Sequence, residues 1–305
     1  MEIVLHLGAH RTGTTALQQA CSRNAGRLAR AGQAFWGPKV TRERGLDSFF
    51  TIAGRAASDD GAARQMHRIR EAVRQDIREL QERGVQRLLV SEENLPGSMV
   101  GNLRGRALYP KARARVAAIR ELFPRPPGAV YFSIRSYAGY WASAYAFAAL
   151  RNDLPAFGDL REDLAASCRG WRDVLADLRA ALPESPVFVW VHERAPQVLP
   201  GVLARMLGPV AGRMRLPEGL SNASPSAEAL ARGLRLRKEC PGLSGRKLRE
   251  RLEAEESPAS PPFAPFSPDQ QAALEARFAA EVRALEDGAL AGVRLIAPGA
   301  GGRAP

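Results

Sequence analysis

Residues Glu2 to Cys21 constrain this chain more than any other stretch. Ile3, Val4, Leu5 and Leu7 form a short, nearly continuous apolar run, the pattern of a strand covered on both faces. Gly8 and Gly13 punctuate the loop that follows, and Leu17, Ala20, Cys21, Ala25 and Leu28 then recur at helical spacing until Gly32. A strand, a glycine turn and a helix in that order aim successive backbone N–H groups and a positive helix end at one point, where an anion is stabilised. The plain alternative is an ordinary strand-to-helix turn that holds glycines.

The spacing is Gly8, four residues, Gly13, Thr14, Thr15. It is close to the phosphate-binding loop Gly-x4-Gly-Lys-Ser/Thr, except that Thr14 stands where the lysine belongs. An ATP or GTP enzyme places that lysine on the β- and γ-phosphates and the next hydroxyl on Mg²⁺. Its loss argues against a nucleoside triphosphate. A ligand with fewer phosphates, held by amides, two hydroxyls and Arg11, fits better.

Further along, Met66, Ile69, Val73, Ile77 and Leu80 mark an amphipathic helix over 62–83, and Val85–Val90 reads as a second buried strand. That strand ends in Ser91-Glu92-Glu93-Asn94-Leu95. In open α/β sheets the carboxyl ends of strands face the ligand crevice, so two adjacent acids there are placed for chemistry; helix-capping or solvated acids are the alternative. A third strand, Ala129–Ile134, closes on Arg135, and Ser143 lies two turns into the helix after it. A strand-end guanidinium and a nearby hydroxyl can clamp one phosphate from two sides. Tyr137, Trp141, Ala144 and Ala148 fall at helical spacing and read as core.

The stretch 38–61 reads as a long connection carrying Phe49-Phe50, a candidate flap on the acceptor side. Leu160 to Leu182 reads as one long amphipathic helix, and Pro186–His192 as a fourth strand followed by a structural Glu193. The basic stretch 232–251 reads as a solvated helical face, and Glu253–Glu256 with the Pro-rich run 257–268 as a linker. Ser267-Pro268-Asp269 opens the last helix with a cap and a first-turn proline, and Val293–Ile296 is a candidate final strand. Strands alternating with helices imply a parallel sheet with helices on both faces. The fold class expected is therefore α/β: a P-loop-like parallel sheet with a helical C-terminal portion, in a single domain over 1–297 with a disordered tail at 298–305.

The formal net charge of +12 favours anionic ligands, but the basic residues are spread over many helices and no nucleic-acid-binding motif is present. Cys21, Cys168 and Cys240 form neither a disulfide framework nor a zinc pattern, which points to a reducing cytoplasm. No apolar run reaches membrane-spanning length and no signal peptide is visible, so a cytoplasmic protein without a transmembrane segment is expected.

Three segments together resemble one family. His10-Arg11-Thr12-Gly13-Thr14-Thr15 is similar to the Lys-Ser/Thr-Gly-Thr-Thr loop of sulfotransferases, which grips the 5′-phosphosulfate of 3′-phosphoadenosine 5′-phosphosulfate (PAPS). The family lysine falls on Arg11, still cationic but planar. Ser91, Glu93, Asn94 and Leu95 match a Ser-x-Glu-Asn-Leu segment beside the transfer site of bacterial members. Arg135, Ser143 and Tyr145 reproduce the 3′-phosphate site, a strand-end Arg followed eight residues later by Ser and then x-Tyr. Weaker likenesses are Glu193 with the helix after it, and Asn222-Ala223-Ser224.

The resemblance implies sulfuryl transfer from PAPS, without a metal, to a hydroxyl or amine of a small-molecule, carbohydrate or lipid-like acceptor. It gives Gly8, His10, Arg11, Thr12, Gly13, Thr14 and Thr15 to the 5′ end of the donor and Arg135 and Ser143 to its 3′-phosphate. It makes Arg11 the stabiliser of leaving-group charge and Glu93 the base, with Glu92 second. Two other classes remain at this stage: a nucleotide kinase-like phosphotransferase using ATP and Mg²⁺, and a non-catalytic nucleotide- or glycan-binding protein.

Overall fold

A computed structural model describes residues 1–54, 59–214, 224–240, 242–243, 245–255 and 261–297. Its strands are β1 (Glu2–His6), β2 (Gln33–Trp36), β3 (Arg87–Ser91), β4 (Ala129–Ile134), β5 (Val187–Val191) and β6 (Val293–Leu295). They form one sheet in the order β2-β3-β1-β4-β5-β6, and every pairing is parallel. The protein is thus α/β, as the alternation of strands and helices in the sequence implies. No helix among the described residues is long and apolar enough to cross a membrane.

Strand β1 sits inside the sheet, with Val4 opposite Leu89 of β3 and Ala129 of β4. Its side chains alternate between two cores: Ile3, Leu5 and Leu7 join Val130, Phe132 and Val189, while Val4 joins Tyr131, Phe188 and Trp190. The connection from β1 to β2 carries Leu17, Cys21 and Leu28 onto the second face. The connections from β2 to β3, β3 to β4 and β4 to β5 step the other way across the sheet, and their Phe50, Val73, Ile119 and Trp171 cover the first face. Right-handed crossovers require that division. The direction reverses between β1 and β4, so their exit loops part to opposite faces, and a carboxyl edge of that kind is where open α/β sheets form a ligand crevice.

Several elements differ from the sequence reading, among them the linker expected from Glu253, which is helical as far as Glu255, and the basic stretch 232–251, which spans two helices, Ala227–Glu239 and Gly245–Glu255. The stretch expected to be a flap instead holds two helices, Pro38–Glu43 and Leu46–Ala53, with Phe49, Phe50 and Ile52 buried. Short apolar clusters without a full helical period give little signal, and it is burial that orders them. The first helical pattern is interrupted at Asn24, separating Thr14–Arg23 from Ala25–Arg30; the buried Asn24 side chain donates to the Ala20 carbonyl at 2.8 Å. The single helix expected over 160–182 is two, Phe157–Ala166 and Trp171–Ala181.

That last break has a tertiary cause. Arg277 donates to the carbonyls of Ser167 and Cys168, and Asp173 accepts the Gly170 N–H at 2.7 Å. The last helix, Pro268–Glu286, supplies Arg277 and is itself opened by the expected Ser267 cap, reciprocated by Gln270. Residues 256–260 of the expected linker, Asn222 and Ala223, and the tail 298–305 lie outside the described residues.

A methyl group on Gly170 would stand 2.5 Å from the Tyr137 hydroxyl and closer still to the Glu281 carboxylate. Gly170→Ala should therefore destabilise the fold by about 1–3 kcal/mol through overpacking, measured as a lower urea midpoint at unchanged slope.

Candidate active-site crevice

The turn after β1 is shaped by left-handed residues. Gly8 has φ 105° and Gly13 φ 82°, conformations that glycine adopts without penalty, and between them Arg11 is held at φ 62°. A side chain at residue 8 would also meet Glu93, whose Cβ would be 3.2 Å from the added carbon. Thr12 braces the turn by donating to the Ala9 carbonyl at 2.6 Å, and the Ala9 N–H donates to Ser133 at the end of β4. Gly13 precedes the helix Thr14–Arg23 and no side chain caps it. Thr14 and Thr15 occupy its first turn, where N–H groups have no partner within the helix and the dipole favours negative charge.

His10 is fixed from two sides. The Tyr109 hydroxyl accepts the His10 backbone N–H at 2.9 Å and lies 2.7 Å from its Nδ1. Asn94 Oδ1 can only accept, so Nε2 donates to it at 3.0 Å, and the neutral ring's Nδ1 is left to accept from the Tyr109 hydroxyl. Burial pushes the imidazole below the usual histidine range and keeps it neutral.

The two adjacent acids have opposite surroundings. Glu92 is fully buried: Arg42 grips both its oxygens at 3.2 Å, Thr41 donates to Oε2 at 2.8 Å, and the Asn94 N–H donates to Oε1. Burial, with Glu93 nearby, pushes its carboxyl above the usual range. Glu93 instead lies beside Gly8, partly open to solvent, with Gln18 donating to Oε2 at 2.8 Å and Arg42 at 3.7 Å from Oε1. Of the pair, Glu93 faces the turn, and Glu92 anchors Arg42 behind it. Arg115 fixes the segment as a whole by donating to the Asn94 and Leu95 carbonyls.

Arg11, Arg135 and Ser143 come together although 132 positions separate the first from the last. Arg135 Nη1 donates to the Arg11 carbonyl at 2.8 Å, and Arg11 Nε donates to Ser143 Oγ at 2.8 Å. Ser224 completes the group, 2.6 Å from Ser143 Oγ and 3.1 Å from Arg11 Nη2. The Arg11 guanidinium also lies over the Phe147 ring at 4.9 Å. Arg135 folds back over the first turn of the helix Tyr137–Ala149, where a side-chain carbon at Gly139 would come within 3.2 Å of its Nε. Glu193 has the structural part expected of it, accepting the Ser136 N–H at that helix start. Tyr145 is buried, donates to the Pro155 carbonyl and stacks on Phe263.

His192, at the end of β5, is a crevice residue that sequence reasoning passed over. Its ring lies beside Gly13, 3.8 Å from where a Cβ would be, and its buried Nδ1 has no hydrogen-bond partner among the described residues. Burial, reinforced by Arg135, pushes its imidazole below the usual histidine range. The strand-end rule that singled out Arg135 could have found it, had β5 been ended one residue earlier. Tyr109 carried no comparable signal, because only the folded chain brings it to the turn, whereas Ser224 belongs to the Asn-Ala-Ser likeness noted above. No protein-family model and no curated protein matches this chain.

Beneath the crevice His6 is 1% exposed, stacked on Trp190 with its Nδ1 2.8 Å from Ser91 Oγ, and burial pushes its imidazole down to about 4. The unfolded chain protonates this group near pH 6.5, which the folded chain resists, so the contribution is full above that value and falls away as pH drops toward 4. The loss over that window should be about 3 kcal/mol. Urea unfolding at pH 7 and pH 4.5 should show a smaller acid-induced loss in His6→Phe than in the wild type.

Proposed function

We propose that this protein is a PAPS-dependent sulfotransferase built on a P-loop-like sheet. The observation that carries the reading is the convergence of Arg135 and Ser143 on Arg11 of the glycine turn. A ligand with phosphate at two ends needs cationic and hydroxyl groups at both, within reach of each other. The strand order, with β1 inside the sheet and a glycine turn at its carboxyl end, supports the P-loop-like part.

The residues suit such a ligand. The uncapped start of the helix Thr14–Arg23 and the hydroxyls of Thr14 and Thr15 would hold the 5′-phosphate. Gly8, His10, Thr12 and Gly13 keep the turn in shape for it, His10 through Tyr109 and Asn94, Thr12 through Ala9. Arg135 and Ser143 would hold the 3′-phosphate. PAPS would supply an activated sulfuryl group, whose transfer leaves 3′,5′-adenosine bisphosphate. Arg11, as the family lysine's counterpart in the turn, would stabilise the charge left on the bridging oxygen, although its guanidinium here rests against Ser143 and Phe147 on the side given to the 3′-phosphate. Glu93, beside Gly8 and partly open, would take the proton of the acceptor hydroxyl or amine. Glu92 is committed to Arg42 and Thr41, which favours Glu93 as the base.

Calorimetric titration should show binding of 3′,5′-adenosine bisphosphate without Mg²⁺ and weaker binding of ATP; the reverse preference would favour a kinase-like phosphotransferase. Arg135→Ala should weaken bisphosphate binding by about thirtyfold and leave 5′-AMP binding nearly unchanged, whereas equal losses for both ligands would remove the assigned clamp. Glu93→Gln should slow transfer from labelled PAPS by about a hundredfold or more at unchanged bisphosphate affinity. If Glu92→Gln has that effect instead, the base is its neighbour.

A further inference from the structure

Behind Glu93 runs a row of buried polar side chains that the reading above leaves unused. Gln18, on the helix Thr14–Arg23, is 8% exposed; Ser91, ending β3, is 0% exposed; His6, ending β1, is 1% exposed. Gln18 Nε2 lies 2.8 Å from Glu93 Oε2 and 3.2 Å from Ser91 Oγ, and Ser91 Oγ lies 2.8 Å from His6 Nδ1. The direction of the two Gln18 bonds follows from donor and acceptor capacity. An ionised carboxylate only accepts, so the Gln18 amide must present nitrogen to it, and the second N–H of that nitrogen meets Ser91. Ser91 Oγ in turn lies within hydrogen-bond distance of His6 Nδ1, the imidazole tautomer deciding which of the two donates. Trp190 stacks on the His6 ring at 5.7 Å and closes the far end of the row.

We propose that Gln18 is a positioning residue: its amide, backed by Ser91 and His6, holds Glu93 Oε2, so that the acceptor proton goes to Oε1, the oxygen 3.7 Å from Arg42 Nη2. The proposal rests on the reading of Glu93 as the base. It explains an amide on a helix whose neighbouring Leu17, Ala20 and Cys21 are packed into the core. A leucine of similar size would fill the space and hold nothing.

Two measurements test it on the full chain. Carbodiimide coupling to glycine ethyl ester, read by peptide mass spectrometry, reports how firmly each carboxylate is held. In Gln18→Leu, Glu93 should label several-fold faster than in the wild type, while Glu92, held by Arg42 and Thr41, keeps its rate. Transfer from labelled PAPS to a panel of alcohols should fall about tenfold in kcat, with the affinity for 3′,5′-adenosine bisphosphate unchanged. Gln18→Met, closer in length, should behave alike and serves if the leucine variant folds poorly. Unchanged labelling of Glu93, or equal acceleration at Glu92 and Glu93, overturns the proposal as general loosening or no contact. A wild-type kcat in the variant overturns the role of Gln18 alone. Absence of transfer by the wild type defeats the reading of Glu93 as base, and the role given to Gln18 falls with it.

Discussion

Strand β1 is hydrogen-bonded on both sides, to β3 and to β4, and that double pairing governs everything at the carboxyl edge of the sheet. A parallel strand in that position is buried on both faces, so its sequence must be apolar up to the point where it leaves the sheet. There the chain has to turn at once into a helix on one face, while the chain leaving β4 turns to the other. Gly8 and Gly13 make the turn sterically possible, and Ser133 anchors it by accepting the Ala9 N–H. The remaining crevice residues are carried there by strands that end at the same edge: Glu92 and Glu93 after β3, Arg135 after β4 and His192 after β5.

Charge is arranged around that turn in layers. Arg42 and Glu92 neutralise each other below the crevice, with Glu92 wholly buried and Arg42 half-exposed. Arg11 and Arg135 lie at the other side of the turn, where Arg11 meets the Ser143 hydroxyl and the Phe147 ring, and Arg135 meets the Arg11 carbonyl with Glu193 nearby. Glu93 lies beside the turn, tied to Gln18 at Oε2 and 3.7 Å from Arg42 at Oε1.

Much of this was legible before any coordinates. The apolar run Ile3–Leu7, the glycine spacing and the strand ending in Arg135 each reflect a local rule: an alternation, a left-handed conformation, a terminus. The strands β1, β3, β4 and β5 fall within a residue or two of where those patterns put them. Where the reading went astray the cause was non-local. The Phe49-Phe50 helix has too short a pattern to announce itself, and the break before Trp171 is made by Arg277, more than a hundred positions away.

The sequence by itself determined that this is a parallel α/β protein with a glycine turn after its first strand, because periodicity and the steric freedom of glycine act over neighbouring residues. It also supplied the residue types at the strand ends. Only the tertiary structure decided which of two adjacent acids faces the crevice, since alternation at a strand end sends Glu92 inward to Arg42 and Glu93 toward Gly8. The tertiary structure likewise brought Tyr109 to His10, Ser224 to Arg11 and Gln18 to Glu93. Those contacts join residues that share no local pattern, and they exist because the sheet order sets distant segments side by side.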